Sequence, residues 1–332
     1  AAVPDDDGGY AVDSVQGELG LLALPAGAGT ATLRGRVAMP ADGGGVLVVA
    51  ETSSGPGSAR GHDAIADRDG SFVVFNLDAA SYEVKGYARG VNHDTASVEL
   101  GDGDDVTIEE TIGLSGEATS SLAGQISIVD GGDGDATSVI LVVESTFDAV
   151  TMRGASPPGI RAPQPGVAPD VSGAFTLTGV PAGRYVVLAA FENDALVRDP
   201  DTCIAGTAIV RQVVEPAADV SLAESFKITG ALEVFGPGAA VPEAVASAPV
   251  FAWADDSSED QYELTVFDAF GETIWEHTEP KHTGDDPEVP YAGPALQPGM
   301  YYQFRVVSTR GDAGDACAIS QTEDLAGVFY VP

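Results

Sequence analysis

Positive charge is the scarcest commodity in this chain. Its 332 residues carry 15 Lys plus Arg against 51 Asp plus Glu, a formal net charge of −36. Phosphate binding needs a basic face, and the cations here stand singly, so nucleic acid is excluded as a partner and anionic membranes are disfavoured. Long apolar runs are missing too. Nothing approaches the roughly 18 apolar residues of a membrane-spanning helix, and the longest stretches, Val46 to Ala50 and Tyr185 to Phe191, are strand-sized, so no membrane insertion is expected. Only two cysteines occur, Cys203 and Cys317, too far apart in sequence for a close-spaced metal pair. Either they pair, closing a long loop that stabilises by about 4 to 5 kcal/mol less strain on the loop-entropy model, or they remain two buried thiols. Catalytic signatures are absent: the chain has no Gly-x-Ser-x-Gly, Ser-x-x-Lys, Walker loop, His-Glu-x-x-His or Cys-x-x-Cys. No enzyme is expected.

What the chain does have is turn chemistry and enough apolar residue for real cores. Gly 41 and Pro 21 accompany 44% hydrophobic residues, a composition of short strands and many turns, and the length suits two or three domains. Acidity, three lysines (Lys85, Lys227, Lys281) and β composition together favour export, to the cell surface or the extracellular space. Ala1-Ala2-Val3-Pro4-Asp5 resembles the first residues after a small-residue cleavage site, or else an arbitrary cut.

Residues 1–29 form a leader rich in Ala, Gly and Asp. Its apolar patch of Leu19, Leu21, Leu22 and Leu24 is too hydrophobic to stay in water and is a candidate donor strand for a neighbouring copy's sheet edge, which makes the chain a fibre subunit; the alternatives are folding back on its own first domain or tethering. From Leu33 the pattern alternates: Leu33 to Val37, Val46 to Glu51, Ser71 to Phe75, Ser81 to Tyr87, Thr95 to Leu100 and Val106 to Thr111 read as strands, with Asp69-Gly70 supplying the positive φ of a tight hairpin. A second block repeats the first. Asp69-Gly70-Ser71-Phe72, Leu77 and Tyr82 recur at one constant offset as Ser172-Gly173-Ala174-Phe175, Val180 and Tyr185. The openings Leu33-Arg34-Gly35-Arg36-Val37 and Leu122-Ala123-Gly124-Gln125-Ile126 are closer together than that offset, so block two holds an insertion, and the Pro-rich stretch from Pro157 to Pro169 is read as a surface loop.

The order Gly-x-Val/Ile, Gly-x-Phe, Leu/Val-Pro-Ala-Gly-x-Tyr resembles the carboxypeptidase regulatory-like, or transthyretin-like, β-sandwich. Block two matches through Gly124, Gly173, Phe175, Leu177, Gly179-Val180-Pro181-Ala182-Gly183 and Tyr185; block one departs at Asn76 and at Asp78-Ala79-Ala80-Ser81. The third block resembles a fibronectin type III sandwich in Val250-Phe251-Ala252-Trp253, Tyr262 to Asp268 and Leu296-Gln297-Pro298-Gly299-Met300-Tyr301-Tyr302. That resemblance implies a core Trp253, a Tyr302 whose hydroxyl bonds back to the chain, and a final strand from Gly327 to Val331. The expected fold is therefore all-β, three tandem antiparallel β-sandwich (Ig-like) domains, at 30–115, 116–225 and 226–332.

Candidate sites are few. Ca²⁺ is the one cofactor considered, at Asp102, Asp104 and Asp105 and at Asp130, Asp133 and Asp135, runs that also read as plain turns and that do not match the twelve-residue helix-loop-helix pattern. His277 and His282 among Glu276, Glu279, Asp285 and Asp286 offer a looser cation cluster or a solvated connection. Arg310-Gly311-Asp312 falls in the loop where the fibronectin-like family presents its adhesive tripeptide, against the reading of a plain turn. The expected function is a structural or adhesive surface protein partnering proteins, itself included. The rival is a carbohydrate- or protein-binding module for a secreted enzyme, with Trp275 and Tyr291 as candidate exposed aromatics.

Overall fold

The computed structural model describes residues 2–4, 10–12, 29–52, 60–129, 137–149, 153–191, 197–198, 209–223, 226–229, 231–246, 248–256, 258–311, 317–323 and 326–332. Among them the protein is built of strands, and its helical piece is a 3₁₀ turn at Glu144–Thr146. It is an all-β chain of three β-sandwiches in tandem. Ahead of them, β1 (Ala2–Pro4) and β2 (Tyr10–Val12) pair as a small antiparallel ribbon.

The first sandwich has β3 (Ala31–Arg36), β4 (Leu47–Thr52), β5 (Gly61–Ile65), β6 (Ser71–Leu77), β7 (Ala80–Ala88), β8 (Val91–Leu100) and β9 (Asp105–Thr107). A three-stranded sheet β6-β3-β9 faces a four-stranded sheet β5-β4-β7-β8. The second has β10 (Ser120–Val129), β11 (Thr137–Val143), β12 (Arg161–Ala162), β13 (Ala174–Val180), β14 (Gly183–Phe191), β15 (Val197–Arg198), β16 (Val210–Val214), β17 (Asp219–Ser221) and β18 (Phe226–Thr229). Here β13 lies on one side of β10 and β17 and β18 on the other, while β12-β11-β14 forms the facing sheet with β15 and β16 on β14. In these two sandwiches the strands pair antiparallel except at closing edges, where β9 runs parallel to β3, and β17 and β18 parallel to β10. Phe226–Thr229, which the sequence pattern assigns to the start of the third block, thus belongs to the second sandwich.

The repeated motif has a physical basis. Gly35 pairs with Phe72 and Gly124 with Phe175, and each Phe ring crosses its glycine so closely that an added Cβ would come within 2.6 Å of the ring. Tyr82 Oη donates to Asp78 O at 3.0 Å and Tyr185 Oη to Pro181 O at 2.8 Å, so both repeats tie the tyrosine to the preceding turn. Block one keeps that turn without Pro-Ala-Gly because Asn76, at φ 61°, adopts the left-handed conformation of Gly179, at φ 70°. Asp69-Gly70 does supply a positive φ, at 83°, but the strands it joins, β5 and β6, lie in different sheets, so the turn crosses the sandwich and closes no hairpin.

The first two sandwiches share a core. Val46, Val48 and Ala50 point into the first, while Leu47, Val49 and Tyr87 pack among Leu141, Phe175, Tyr185 and Val187 of the second. Tyr87 and Tyr185 meet edge to face at 6.1 Å. Hydrogen bonds line the same seam: Gly90 N–H to Gly179 O at 2.8 Å, Lys85 Nζ to Ala182 O at 2.7 Å, and Ala182 N–H to Asn92 Oδ1 at 2.6 Å. The Pro-rich insertion is no simple surface loop. Ile160 and Ala162 are buried in the shared core, and Gln164 accepts from Arg89 of the first sandwich at 2.6 Å.

The third sandwich sets β19 (Val234–Gly236), β21 (Val250–Trp253) and β24 (Glu288–Pro290) against a sheet in the order β20 (Glu243–Ala244), β27 (Val328–Tyr330), β25 (Tyr301–Arg310), β22 (Gln261–Asp268) and β23 (Thr273–Pro280), with β26 (Cys317–Gln321) also on β25. Trp253, Phe251, Tyr262 and Phe304 fill it. Tyr302 is buried, and its Oη accepts the Gln297 N–H at 2.7 Å, the bond back to the chain expected from the sequence.

The shared core predicts an uneven response to mutation. Tyr87→Ala is expected to cost about 3 to 5 kcal/mol, the usual penalty for a buried aromatic, where a surface tyrosine would cost within about 0.5. Both tryptophans, Trp253 and Trp275, lie in the third sandwich. In urea, far-UV circular dichroism should lose midpoint while tryptophan fluorescence keeps it; an equal loss in both signals would show one cooperative unit in place of a two-sandwich seam.

Candidate functional site

A dense cluster of acidic and hydroxyl side chains lies in the third sandwich. A hydrogen-bonded network holds the connection from β21 to β22. Tyr262 Oη donates to Asp255 Oδ1 at 2.7 Å and accepts the Asp256 N–H at 2.6 Å. Asp256 in turn accepts from Ser258 Oγ at 2.8 Å and from Ser308 Oγ at 2.7 Å. Within the network sits Glu259, its side chain wholly buried and neither carboxylate oxygen holding a hydrogen-bond partner. Lys281 Nζ stands 3.9 Å from Oε2 but donates to the Glu259 backbone carbonyl at 2.7 Å. Burial pushes the Glu259 carboxyl above its ordinary range, with Asp255 and Asp256 adding repulsion and Lys281 opposing them.

The same network engages the first two residues of Arg310-Gly311-Asp312. Arg310 ends β25 and gives Nε and Nη2 to Ser258 O at 2.9 and 2.6 Å, while the Gly311 N–H donates to Asp260 Oδ2 at 2.8 Å. Asp312 lies outside the described residues. Arg310 is thus half-buried and engaged at the root of the loop.

The other described sequence candidates are bonded locally or exposed. Asp104 Oδ2 accepts the Gly101 N–H of its own turn at 2.7 Å, Asp105 pairs with Arg34 at 2.8 Å, and Asp102 is exposed. Asp130, Asp133 and Asp135, the leader residues Leu19, Leu21, Leu22 and Leu24, and Cys203 lie outside the described residues; Cys317 opens β26 opposite Arg310. Among the described residues no three His, Cys, Asp or Glu side chains converge to hold a metal. His277 and His282 do meet, each at 2.9 Å from Glu279 through Nε2. Burial works to raise the Glu279 carboxyl, but the hydrogen bonds from His282 and His277 outweigh it and hold it below its ordinary value; the Glu279 hydrogen bond raises His282.

The aromatic candidates need correction. Tyr291 is 8% exposed and donates to Pro294 O, and Trp275, registered opposite inward-facing Val266, stacks on Phe251. The exposed aromatics lie elsewhere. Phe270 is 81% exposed and Tyr301 49%, the latter stacked on Tyr330 at 5.0 Å. The available signal was an aromatic inside the turn Asp268-Ala269-Phe270-Gly271-Glu272, where no core demands one.

No protein-family model and no curated protein matches the chain. Among solved structures it is similar to the minor pilin GBS52 of Streptococcus agalactiae, at 12% identity and TM-score 0.22, covering 64% of this chain and 99% of that one. It is also similar to a DUF3823 family protein from Bacteroides uniformis, at 13% identity and TM-score 0.29, covering 64% and 100%. A third likeness is to the fibronectin(III)-like modules of Clostridium thermocellum CbhA, at 11% identity and TM-score 0.19, covering 63% and 90%. At those scores no shared function follows, and the fold assignment rests on the sheets themselves. No helix of the described residues is long and apolar enough to cross a membrane.

The two carboxylate sites respond to pH in opposite senses. A carboxyl raised in the folded state confers stability that is complete below its unfolded pKa, about 4.3, and is lost as pH rises through the folded value. Glu259→Gln, which keeps the shape without the charge, should therefore melt above the parent protein at pH 8, with the gap closing at pH 4; a constant gap would mean that Glu259 is not the titrating group. The Glu279–His282 pair has the opposite dependence on its acid side: Glu279 contributes above about pH 4.3 and His282 below about pH 6.5. Glu279→Gln should lower the melting temperature most between those limits, read by tryptophan fluorescence.

Proposed function

We propose that this protein is an exported, non-enzymatic component of the cell surface or extracellular space, structural or adhesive in role, whose sandwiches act as a stiff spacer. The observation that supports this most is the seam between the first two sandwiches, where apolar side chains and hydrogen bonds at Gly90, Lys85 and Asn92 hold two repeats together. A flexible tether between repeats would leave β4 polar on its outer face; instead Leu47 and Val49 bury there. The acidic surface keeps such modules soluble and apart except where a specific contact prevails. A Cys203–Cys317 bridge belongs to the same reading and would staple distant segments.

The finer form of the proposal is a fibre, in which the leader adds as a strand to an exposed sheet edge of the next copy. Edge strands β8 and β23 are candidate acceptors. Negative-stain electron microscopy of the purified protein should show ordered fibres that vanish when residues 1–29 are deleted; monodisperse rods from the undeleted protein would reject strand addition. For the bridge, mass spectrometry without reductant should find a mass lower by two hydrogens than after reduction, and equal masses would reject it.

A further inference from the structure

We infer that the β22–β23 hairpin, with Phe270 at its tip, is a docking knob for a partner protein that offers an apolar socket rimmed by Lys or Arg. This rests on the adhesive reading above and names its contact. Phe270 is the most exposed large apolar side chain of the described residues, at 81%. Its backbone is nonetheless fixed. Asp268 Oδ1 accepts the N–H groups of both Phe270, at 2.9 Å, and Glu272, at 3.0 Å, and Asp268 N–H donates to Glu272 O while Gly271, at φ 83°, closes the turn on Asp268 O. The ordering cost that binding usually carries is therefore already met, which favours a presented side chain over a loose loop.

The knob has company at the same end of the same sheet. Asp268 pairs with Tyr302, so the tip leaves the sheet where β25 begins. On the solvent face there, alternate to the buried Tyr302 and Phe304, stand Tyr301, stacked on Tyr330, and Phe267, opposite Gln303. A few such anchors, tyrosine prominent among them, dominate the cost of truncation in protein interfaces. Charge selects the partner. Glu272 in the turn is exposed, and so are Glu263 and Glu276 on the outer face of the adjoining strands, where Arg305 is the facing cation among the described residues, in a chain of net −36. A socket of the same sign repels this rim, and a basic one is drawn to it. A projecting phenyl ring also fits a pocket better than it underlies a flat sugar.

The test is a random phage-displayed peptide library panned on the immobilised full chain and counter-selected on Phe270→Ser. Phe270 is exposed, so this variant should fold as the parent does, checked by its melting temperature. Selected peptides should place Lys or Arg beside apolar residues. As synthetic peptides they should bind Phe270→Ser at least tenfold more weakly, bind Glu272→Lys more weakly too, and lose affinity with added salt. Peptides without basic residues, binding to Phe270→Ser within twofold, or no selection above the variant would overturn the assignment. So would capture by phosphatidylcholine vesicles, or self-association in sedimentation, that Phe270→Ser abolishes, since these assign the tip to lipid or to a second copy. Microscopy of the N-terminal deletion reads the spacer and fibre proposal separately, so either can fail without the other.

Discussion

Burial of the strand Leu47–Thr52 on both faces is the constraint from which the first two sandwiches take their arrangement. A strand with one wet face is held in register by its own pattern, because a slip of one residue turns every apolar side chain into water. Here a slip exchanges Val48 and Ala50 for Leu47 and Val49, apolar for apolar, and hydrophobicity alone specifies nothing. Polar contacts must therefore set the alignment. Asn92 does so with both ends of its amide: Nδ2 donates to Ala118 O at 3.0 Å, and Oδ1 accepts the Ala182 N–H at 2.6 Å. Lys85 adds a bond to Ala182 from a position where burial pulls its pKa down against Glu51, Glu117 and Glu215. Such groups are costly to bury unless satisfied, so their pairing discriminates one docking from its neighbours.

The same constraint separates what could be read in the sequence from what could not. The strands carrying the repeat were legible because glycine, phenylalanine and tyrosine act there through local geometry: a ring needs a missing Cβ opposite it, and a hydroxyl needs a carbonyl one turn away. Val46 to Ala50 was legible as a strand, yet nothing within a run of five apolar residues says which second layer it meets. Gly61–Ile65 escaped because Gly-His-Asp-Ala-Ile has neither alternation nor β-branched weight, and it forms as an edge on β4. The Pro-rich insertion misleads because its prolines argue against a central strand but do not prevent Ile160 and Ala162 from packing. Phe226–Thr229 looks like a fresh start; its partner, the far half of β10, is distant in sequence and has no local signature. In the third sandwich Trp253 and Tyr302 were legible through the fibronectin type III resemblance, whereas Trp275 was not, since the facing of an edge-strand residue depends on register.

The acidity has a local explanation that the net charge conceals. Carboxylate after carboxylate accepts an N–H two residues onward: Asp42 from Gly44 at 3.0 Å, Asp69 from Ser71 at 3.0 Å, Asp256 from Ser258 at 3.1 Å and Asp268 from Phe270 at 2.9 Å. Asp104 reaches the other way, to Gly101. A chain of short strands has many turns, each leaves amides without ladder partners, and aspartate both satisfies them and tolerates the required dihedrals. Hydrogen bonds from Ser71 hold the Asp69 carboxyl below its ordinary value, which is how an acceptor role registers in titration. These aspartates are thus engaged with the chain's own backbone, and charge becomes available for recognition where a turn carries more than its geometry needs. The Asp268 turn is such a place: Asp268 does the structural task, and Glu272 and Phe270 are left facing solvent.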